Sequence, residues 1–133
     1  MVIGIGIDIV NIERIERLMG RWGDHFLKRV YTEQEISRCQ CRSRPSECYA
    51  LRFAAKEAFL KAIGSGLRDG LRWTDIEVAN DRWGKPFLSF HRRAKEILQI
   101  HRIERSHLTL SHDRPFAVAY VLLEGNDDES RNC

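Results

Sequence analysis

The segment Arg52–Ala62 constrains the fold most, because its composition and its periodicity both predict one long helix. It is rich in Ala, Leu, Lys and Glu and has no Gly or Pro before Gly64, a composition that favours a helix. We predict a helix from about Pro45 or Ser46 to Ile63, ended by Gly64. At a period of 3.6 residues, one apolar stripe of this helix must face a core; it consists of Leu51, Ala55, Ala58, Phe59 and Ala62.

Two charged residues lie on the flank of this stripe. Glu57 and Lys61 are four residues apart, so their side chains are neighbours on the helix surface. Taken alone, they are most simply an ordinary i,i+4 ion pair. A carboxylate and an ammonium at the edge of a buried face can also hold a metal and a phosphate. The rest of the sequence has to decide between these two interpretations.

The N-terminal segment predicts a strand with two different faces. Residues 2–10 alternate with period two, and one face carries Ile3, Ile5, Ile7 and Ile9. The other face carries Gly4, Gly6 and Asp8, so another backbone or a ligand can approach closely beside the carboxylate. Asp8 is therefore either a turn residue at the strand end or a ligand residue.

Helix signals precede the long helix. Asn11 can cap a helix that runs to about Arg21, with Ile12, Ile15, Leu18 and Met19 inward. A capping box at Thr32 and Glu35 opens a short helix toward Cys39.

The remaining patterns predict four more strands and one more helix. The strands cover residues 73–79, 86–89, 108–111 and 116–123, and the helix covers 90–100, with Ala94, Ile97, Leu98 and Ile100 as apolar contacts. The order β-α-α-α-β-β-α-β-β predicts an α+β fold, with a mainly antiparallel sheet against a long helix and shorter helices. We expect one domain over residues 1–124 and a polar, mobile tail over 125–133.

Composition and cysteine spacing exclude several classes of protein. Hydrophobic residues make up 43% of the 133 residues and charged residues 31%, as in soluble globular proteins. There is no apolar run long enough to span a membrane and no basic signal-peptide region, so we expect a cytoplasmic protein. The four cysteines match neither a disulfide framework nor a pair of zinc knuckles, so we expect reduced thiols at Cys39, Cys41, Cys48 and Cys133.

Several segments could bind a phosphate. Gly64-Ser65-Gly66 can offer backbone N–H groups to an anion, or can simply form a helix cap and a turn. Lys85 precedes Pro86 on a predicted turn, and His112 at a strand end is either a phosphate donor or an exposed turn residue. Ser111-His112-Asp113 is not a catalytic triad, because adjacent side chains of a strand point to opposite faces.

Asp8 and Glu57 offer two carboxylates on two rigid elements. Magnesium usually takes one or two protein carboxylates, with waters and substrate phosphates completing its shell. If the two residues meet, the pair suits phosphoryl chemistry better than a dedicated metal cage.

A basic stripe lies on the first predicted helix. Arg14, Arg17 and Arg21 recur at i, i+3 and i+7 and form either a solvated face or a surface for an acidic protein. The alternative function is a non-catalytic module that binds nucleic acid through this stripe. The chain has no C2H2 or RNP signature, few interleaved aromatics and a net charge of only +3, so we expect no nucleic-acid partner.

Together, five motifs closely resemble the holo-(acyl-carrier-protein) synthases, the short bacterial class of 4′-phosphopantetheinyl transferases. They occur in family order and cover residues 4–112: Gly4-Ile5-Gly6-Ile7-Asp8, Arg52-Phe53-Ala54-Ala55-Lys56-Glu57-Ala58 with Lys61, Gly64-Ser65-Gly66, Gly84-Lys85-Pro86, and Ser111-His112. Ser65 stands where the family more often has Thr, and it keeps the hydroxyl.

The resemblance implies a reaction and a site. A serine of apo-acyl carrier protein would attack the β-phosphate of coenzyme A, in fatty acid biosynthesis, and 3′,5′-ADP would leave. Asp8 and Glu57 match the family's Mg²⁺ ligands, and Lys61 matches a catalytic lysine at the diphosphate. The coenzyme A site would be lined by Arg52, Lys61, Gly64, Ser65, Gly66, Lys85, Pro86, Ser111 and His112. The family also implies a homotrimer with active sites between subunits, and carrier-protein binding by Arg14, Arg17 and Arg21. A catalytically dead homologue would share the motifs without the activity.

Overall fold

In the computed structural model, residues 1–126 are described, and most of the tail predicted over 125–133 therefore lies outside the described residues. The division into one domain over 1–124 and a tail stays a prediction. The elements are β1 (Val2–Asn11), α1 (Ile12–Trp22), α2 (Asp24–Val30), α3 (Glu33–Gln40), α4 (Pro45–Ile63), a 3₁₀ turn (Trp73–Asp75), β2 (Ile76–Asn80), β3 (Pro86–Phe90), α5 (Arg93–Ile100), β4 (Ile103–Asp113) and β5 (Phe116–Gly125).

The strands form two antiparallel sheets. The larger sheet has the order β1-β5-β4, and β2 and β3 form a separate hairpin. Ile7 pairs with Tyr120, and Asp8 pairs with Ala119. The predicted α+β class with antiparallel strands and a long helix is confirmed, although the strands divide between two sheets.

Helix α4 packs directly on the glycine face of β1. A Cβ atom added at Gly4 would lie 2.1 Å from the Ala62 carbonyl oxygen, and one at Gly6 would lie 1.9 Å from the Ala58 carbonyl oxygen. Only glycine permits such a close approach between strand and helix backbones. The sequence predicted that another backbone or a ligand could approach the glycine face closely. In the structure, the backbone of α4 occupies this position.

The buried surface of α4 is wider than the predicted apolar stripe. Ala55, Ala58 and Phe59 are buried as expected, whereas Leu51 and Ala62 are only partly buried. Residues on other sides of the helix are buried too, among them Tyr49, Ala50, Arg52, Ala54, Lys56 and Leu60. Helix α4 is thus a central helix, because the sheet covers one side and α1, α3 and β2 contact it from others.

Five expectations about the elements were wrong in detail. The helix predicted over 90–100 begins at Arg93, because Phe90 belongs to β3. Helix α2 was not predicted, because it is short and follows Gly23. The strand expected from Trp73 begins at Ile76, after the 3₁₀ turn. Strand β4 begins at Ile103 rather than Leu108, since pairing with β5 extends it over polar residues. Ile100 at the end of α5 is 64% exposed rather than a core contact.

The cysteine prediction was also wrong. Cys39 and Cys48 form a disulfide, with their Cα atoms 5.5 Å apart, and Cys41 is free and exposed. The sequence interval of nine residues did not indicate this pair. The bond joins the end of α3 to the start of α4, across the short connection between the two helices. Cys133 lies outside the described residues.

One face of β1 leaves large apolar side chains uncovered. Ile5, Ile7 and Ile9 are 57%, 59% and 61% exposed, respectively. A row of three isoleucines in water is an unusual surface for a monomer. Within the described part of the chain, none of the helices has both the length and the apolar character needed to cross a membrane.

Candidate active site

Asp8 and Lys61 meet where β1 lies against the last turn of α4. The Lys61 Nζ donates to Asp8 Oδ1 at 2.9 Å and to the Ile7 carbonyl oxygen at 3.1 Å. The side chain of Lys61 is 54% exposed and that of Asp8 only 14%. Lys61 is therefore hydrogen-bonded to β1, and it forms an ion pair with Asp8 of that strand rather than with its helical neighbour Glu57.

Glu57 completes this cluster from one turn earlier in α4. Burial raises the pKa of Glu57, the nearby negative charge of Asp8 raises it further, and Lys61 and Arg14 act in the opposite direction. Two carboxylates that repel each other are stabilised when a cation lies between them. A hydrogen bond to Asp8, in turn, raises the pKa of Lys61. The cluster thus holds two carboxylates and one ammonium at the edge of the fold.

The donor set fits a magnesium ion that is shared with a substrate. Between residues 1 and 126 there is no group of three or more His, Cys, Asp or Glu side chains arranged to hold a metal. Asp8 and Glu57 supply only two carboxylates. Magnesium keeps waters and takes phosphate oxygens beside one or two carboxylates, so two such ligands are sufficient.

A cavity of about 520 Å³ opens next to this cluster. It is lined by Glu57, Leu60, Lys61, Gly64, Gly66, Leu67 and Trp73. Gly64 adopts φ +76° as the helix cap, and its N–H donates to the Leu60 carbonyl oxygen at 2.9 Å. Both uses considered for Gly64-Ser65-Gly66 are therefore compatible: the segment ends α4, and its glycines also line the cavity.

A second group of candidate residues surrounds Arg52. This arginine is 95% buried, since its relative exposure is 5%. Its Nη1 donates to Cys48 Sγ at 3.1 Å and its Nη2 to Asn80 Oδ1 at 3.0 Å. Among the described residues its buried Nε has no hydrogen-bond partner. Burial lowers the pKa of Arg52, and the charges of Arg38 and Arg42 contribute in the same direction.

Arg52 lines a cavity of about 380 Å³ together with Pro86 and His112. The His112 Nε2 lies 3.0 Å from Glu47 Oε1. Ser111 and Lys85 are exposed beside these residues in sequence. The Lys85 backbone N–H donates to Asp81 Oδ1 at 2.9 Å, which holds the turn before Pro86. Arg52 thus contributes to the lining of a cavity at which three further arginines, Arg38, Arg42 and Arg44, also lie, and arginine side chains are suited to an anion.

The two groups lie on different sides of α4. Arg52 and Glu57 are five residues apart, which places them about 140° apart around a helix. A single copy of the chain therefore gathers Asp8, Glu57, Lys61, Gly64 and Gly66 in one place. It gathers Arg52, Pro86 and His112 in another.

Sequence reasoning missed several residues that line these cavities. Leu67 and Trp73 line the first cavity, and Arg38, Arg42 and Arg44 line the second. The run of arginines between Arg38 and Pro45 was a visible signal of positive charge. The loop composition could not show which way the chain would turn.

The basic stripe of α1 is exposed as predicted. Arg14, Arg17 and Arg21 are all exposed, and the guanidinium of Arg21 lies 5.2 Å from the centre of the Trp22 ring. Arg14 is close enough to Glu57 to lower its pKa, so the basic surface begins at the carboxylate cluster.

Comparisons with known proteins agree on one family. The family model described as 4′-phosphopantetheinyl transferase superfamily matches residues 4–121. The chain is 48% identical over 124 residues to a holo-[acyl-carrier-protein] synthase of Geobacter sp. (strain M21), covering 93% of this chain and 99% of the relative. It is 47% identical over 128 residues to the synthase of Syntrophus aciditrophicus, covering 96% and 100%.

Solved structures give the same result. The chain resembles the holo-[acyl-carrier-protein] synthase of Neisseria meningitidis with a TM-score of 0.87 and 35% identity, over 93% of this chain and 99% of that one. It resembles the Bacillus anthracis synthase in complex with CoA (3′,5′-ADP) with a TM-score of 0.77 and 41% identity, over 95% and 99%.

Proposed function

Because this chain belongs to the 4′-phosphopantetheinyl transferase superfamily, among the holo-[acyl-carrier-protein] synthases, we propose that it transfers 4′-phosphopantetheine from coenzyme A to a serine of apo-acyl carrier protein. The second product is 3′,5′-ADP, and the carrier protein of fatty acid biosynthesis is the expected acceptor. The observation that carries the proposal is the cluster of Asp8, Glu57 and Lys61 beside a glycine-lined cavity.

Asp8 and Glu57 would hold the Mg²⁺ that this chemistry requires. The two carboxylates repel each other, which a bound cation would relieve. Two protein ligands are also the number that Mg²⁺ usually takes when waters and substrate phosphates complete its shell. When bound, the ion would neutralise charge on the diphosphate. Transfer of this kind depends mainly on positioning and on charge neutralisation rather than on covalent steps at the protein.

Lys61 supplies a positive charge on the same face of the site. Its hydrogen bonds to Asp8 and to the Ile7 carbonyl hold the ammonium in place, so little reorganisation is needed when a diphosphate enters. We expect one of three groups to take the serine proton: Glu57, Lys61 or a water held by the bound ion.

We propose that the Arg52 group, which consists of Arg52, Pro86 and His112, binds the part of coenzyme A that carries the 3′-phosphate. Arg42, Arg44 and Arg52 line the cavity beside Pro86 and His112, and their positive charges support this assignment. The 3′-phosphate of coenzyme A is an anion of the kind that arginine binds well. We assign Lys85 and Ser111, which adjoin Pro86 and His112 in sequence, to this region, and Ser65, between Gly64 and Gly66, to the first cavity.

Two observations support the homotrimer with active sites between subunits that the family resemblance implies. The Asp8 group and the Arg52 group lie on different sides of α4, so one coenzyme A molecule would join groups from two copies of the chain. The exposed Ile5, Ile7 and Ile9 form an apolar face that a second copy can cover. The acyl carrier protein would bind on α1, where Arg17 and Arg21 attract acidic residues. We expect the enzyme to work in the cytoplasm.

The test is intact-mass measurement of apo-acyl carrier protein after incubation with the chain, coenzyme A and Mg²⁺. We expect one added phosphopantetheine, and we expect a chelator to prevent it. Asp8→Ala and Glu57→Ala should each reduce the rate at least about 100-fold with unchanged circular dichroism. The matched control is Glu96→Ala, which removes an exposed carboxylate of α5.

A dead homologue would leave the carrier protein unmodified where a reference synthase modifies it completely. That outcome would exclude the proposed activity. Equal rates for Asp8→Ala and Glu96→Ala would instead show that the carboxylate cluster is not the active site.

A further inference from the structure

The Cys39–Cys48 disulfide ties the end of α3 to the beginning of α4. The connection between these helices, residues 41–44, is exposed throughout. Backbone hydrogen bonds restrain it, among them those from Arg42 N–H to the Cys39 carbonyl oxygen at 3.1 Å and from Cys48 N–H to the Arg44 carbonyl oxygen at 3.4 Å. The disulfide is thus the covalent restraint on a short, otherwise exposed segment.

This segment carries two arginines to the cavity assigned to coenzyme A. Arg42 and Arg44 line that cavity with Arg52 and His112, and Cys48 lines it as well. Long arginine side chains on an exposed loop lose conformational freedom when they bind an anion. A restraint that holds their backbone in place therefore reduces the cost of binding.

The disulfide also touches the buried arginine of the cavity. Cys48 Sγ accepts a hydrogen bond from Arg52 Nη1 at 3.1 Å. This contact orients the guanidinium, and the buried Nε of Arg52 has no partner among the described residues. One covalent bond therefore influences the arginines of the loop and the arginine of α4 together.

We propose that Cys39 and Cys48 are positioning residues whose disulfide holds the arginine loop in the conformation that binds the 3′-phosphate of coenzyme A. The inference rests on the proposed function. The disulfide form should bind coenzyme A more tightly than the dithiol form, while the chemical step at Asp8, Glu57 and Lys61 stays the same. Oxidation state would then adjust the affinity of the enzyme for its co-substrate.

The redox step is a thiol–disulfide exchange. The Cys39 and Cys48 thiols lose two protons and two electrons and form one S–S bond. A small-molecule disulfide such as oxidised glutathione takes up both electrons and becomes two thiols. A dithiol reductant reverses the reaction. No other co-reactant is needed.

The experiment compares the full chain after treatment with oxidised glutathione or with dithiothreitol, in a Cys41→Ser/Cys133→Ser background that removes the other two thiols. Alkylation under denaturing conditions and intact mass should find no free thiol in the oxidised form and two in the reduced form. We expect reduction to raise the KM for coenzyme A about three- to tenfold, the range that ordering one or two long side chains would give. The kcat should change less than twofold.

Cys39→Ser in the same background is the matched variant, because it breaks the bond and keeps Cys48 Sγ beside Arg52. Its KM should equal that of the reduced chain when both are measured in dithiothreitol, because neither then has the disulfide. A merely structural role would lower the midpoint of unfolding without separating KM from kcat. Equal KM values in both oxidation states, or two free thiols after oxidation, would overturn the proposal.

Calorimetric titration with coenzyme A separates this proposal from the proposed function. If no state of the chain transfers phosphopantetheine but the oxidised form binds coenzyme A more tightly, the positioning role stands and the transfer activity fails. If transfer occurs and both forms bind equally, the positioning role fails alone. If neither form binds coenzyme A, both fail.

Discussion

Lys56 and Glu35 form an ion pair that is wholly buried between α4 and α3. The Lys56 Nζ lies 2.7 Å from Glu35 Oε1, and both side chains have 0% exposure. The ammonium also donates to the carbonyl oxygens of Val30 and Trp73, and Glu35 Oε2 accepts from the Val78 N–H. This residue of the long helix is therefore structural.

Replacing Lys56 by Met should strongly destabilise the fold. The Glu35 carboxylate would remain buried without its partner, which costs about 3–5 kcal/mol. Lys95→Met, on the exposed face of α5, should change stability by less than about 0.5 kcal/mol. Urea unfolding of both variants measures the difference.

The double variant Lys56→Met/Glu35→Leu checks the reason for that loss. It leaves no unpaired charge and should be more stable than Lys56→Met alone. A Lys56→Met protein within about 1 kcal/mol of the parent would contradict the structural role.

Residue spacing predicted neighbours correctly but chose the wrong partner for Lys61. The i,i+4 rule identifies Glu57 as its neighbour on the helix. In the structure, Lys61 Nζ donates a hydrogen bond to Asp8, which is 53 residues away in sequence. Spacing within a helix cannot predict which distant strand packs on that helix.

At the scale of elements, the contact between β1 and α4 sets the geometry of the site. Gly6→Ala would put a Cβ 1.9 Å from the Ala58 carbonyl oxygen, so the helix would have to move away from the strand. We expect a loss of about 1–3 kcal/mol in stability. Because Asp8 and Glu57 would separate, we also expect at least about a tenfold loss in transfer rate.

Gly20→Ala is the matched control. Nothing lies within 4 Å of the added Cβ in helix α1, and alanine favours a helix over glycine by about 1 kcal/mol. This variant should therefore be as stable as the parent or slightly more stable, with unchanged activity. A Gly6→Ala enzyme with parental rate and stability would show that the two elements can adjust without cost.

Helix α1 offers a separate test of carrier-protein binding. Arg17→Glu/Arg21→Glu should raise the KM for acyl carrier protein about tenfold and weaken its dependence on salt, because rim charges steer acidic partners. The KM for coenzyme A should stay unchanged. Arg82→Glu, in the exposed turn before β3, is the control; steady-state kinetics at two salt concentrations measure both. Equal effects of the two changes would contradict a surface specific to α1.

At the scale of the whole molecule, the exposed isoleucines of β1 determine whether copies associate. Ile7→Lys would place a charge in the middle of the face formed by Ile5, Ile7 and Ile9. We expect monomers in sedimentation velocity and a loss of transfer activity, because each site would need groups from two copies. Ile100→Lys changes an equally exposed isoleucine on α5 and should leave both properties unchanged. A fully active Ile7→Lys monomer would contradict shared active sites.

The sequence by itself determined the elements whose signals are local. The alanine-rich helix with its glycine cap, the capping box at Thr32 and the alternation of β1 each depend on residues within a few positions of one another. The ordered motifs also identified the family, since each motif consists of residues that are close together in the sequence. The α+β class followed from the order of these elements.

Only the tertiary structure decided the features that depend on distant contacts. It paired Cys39 with Cys48, joined Lys61 to Asp8, buried α4 on several sides and left the isoleucine face of β1 open. The physical reason is that periodicity shows which residues share a face, whereas the packing of the whole chain determines what each face meets.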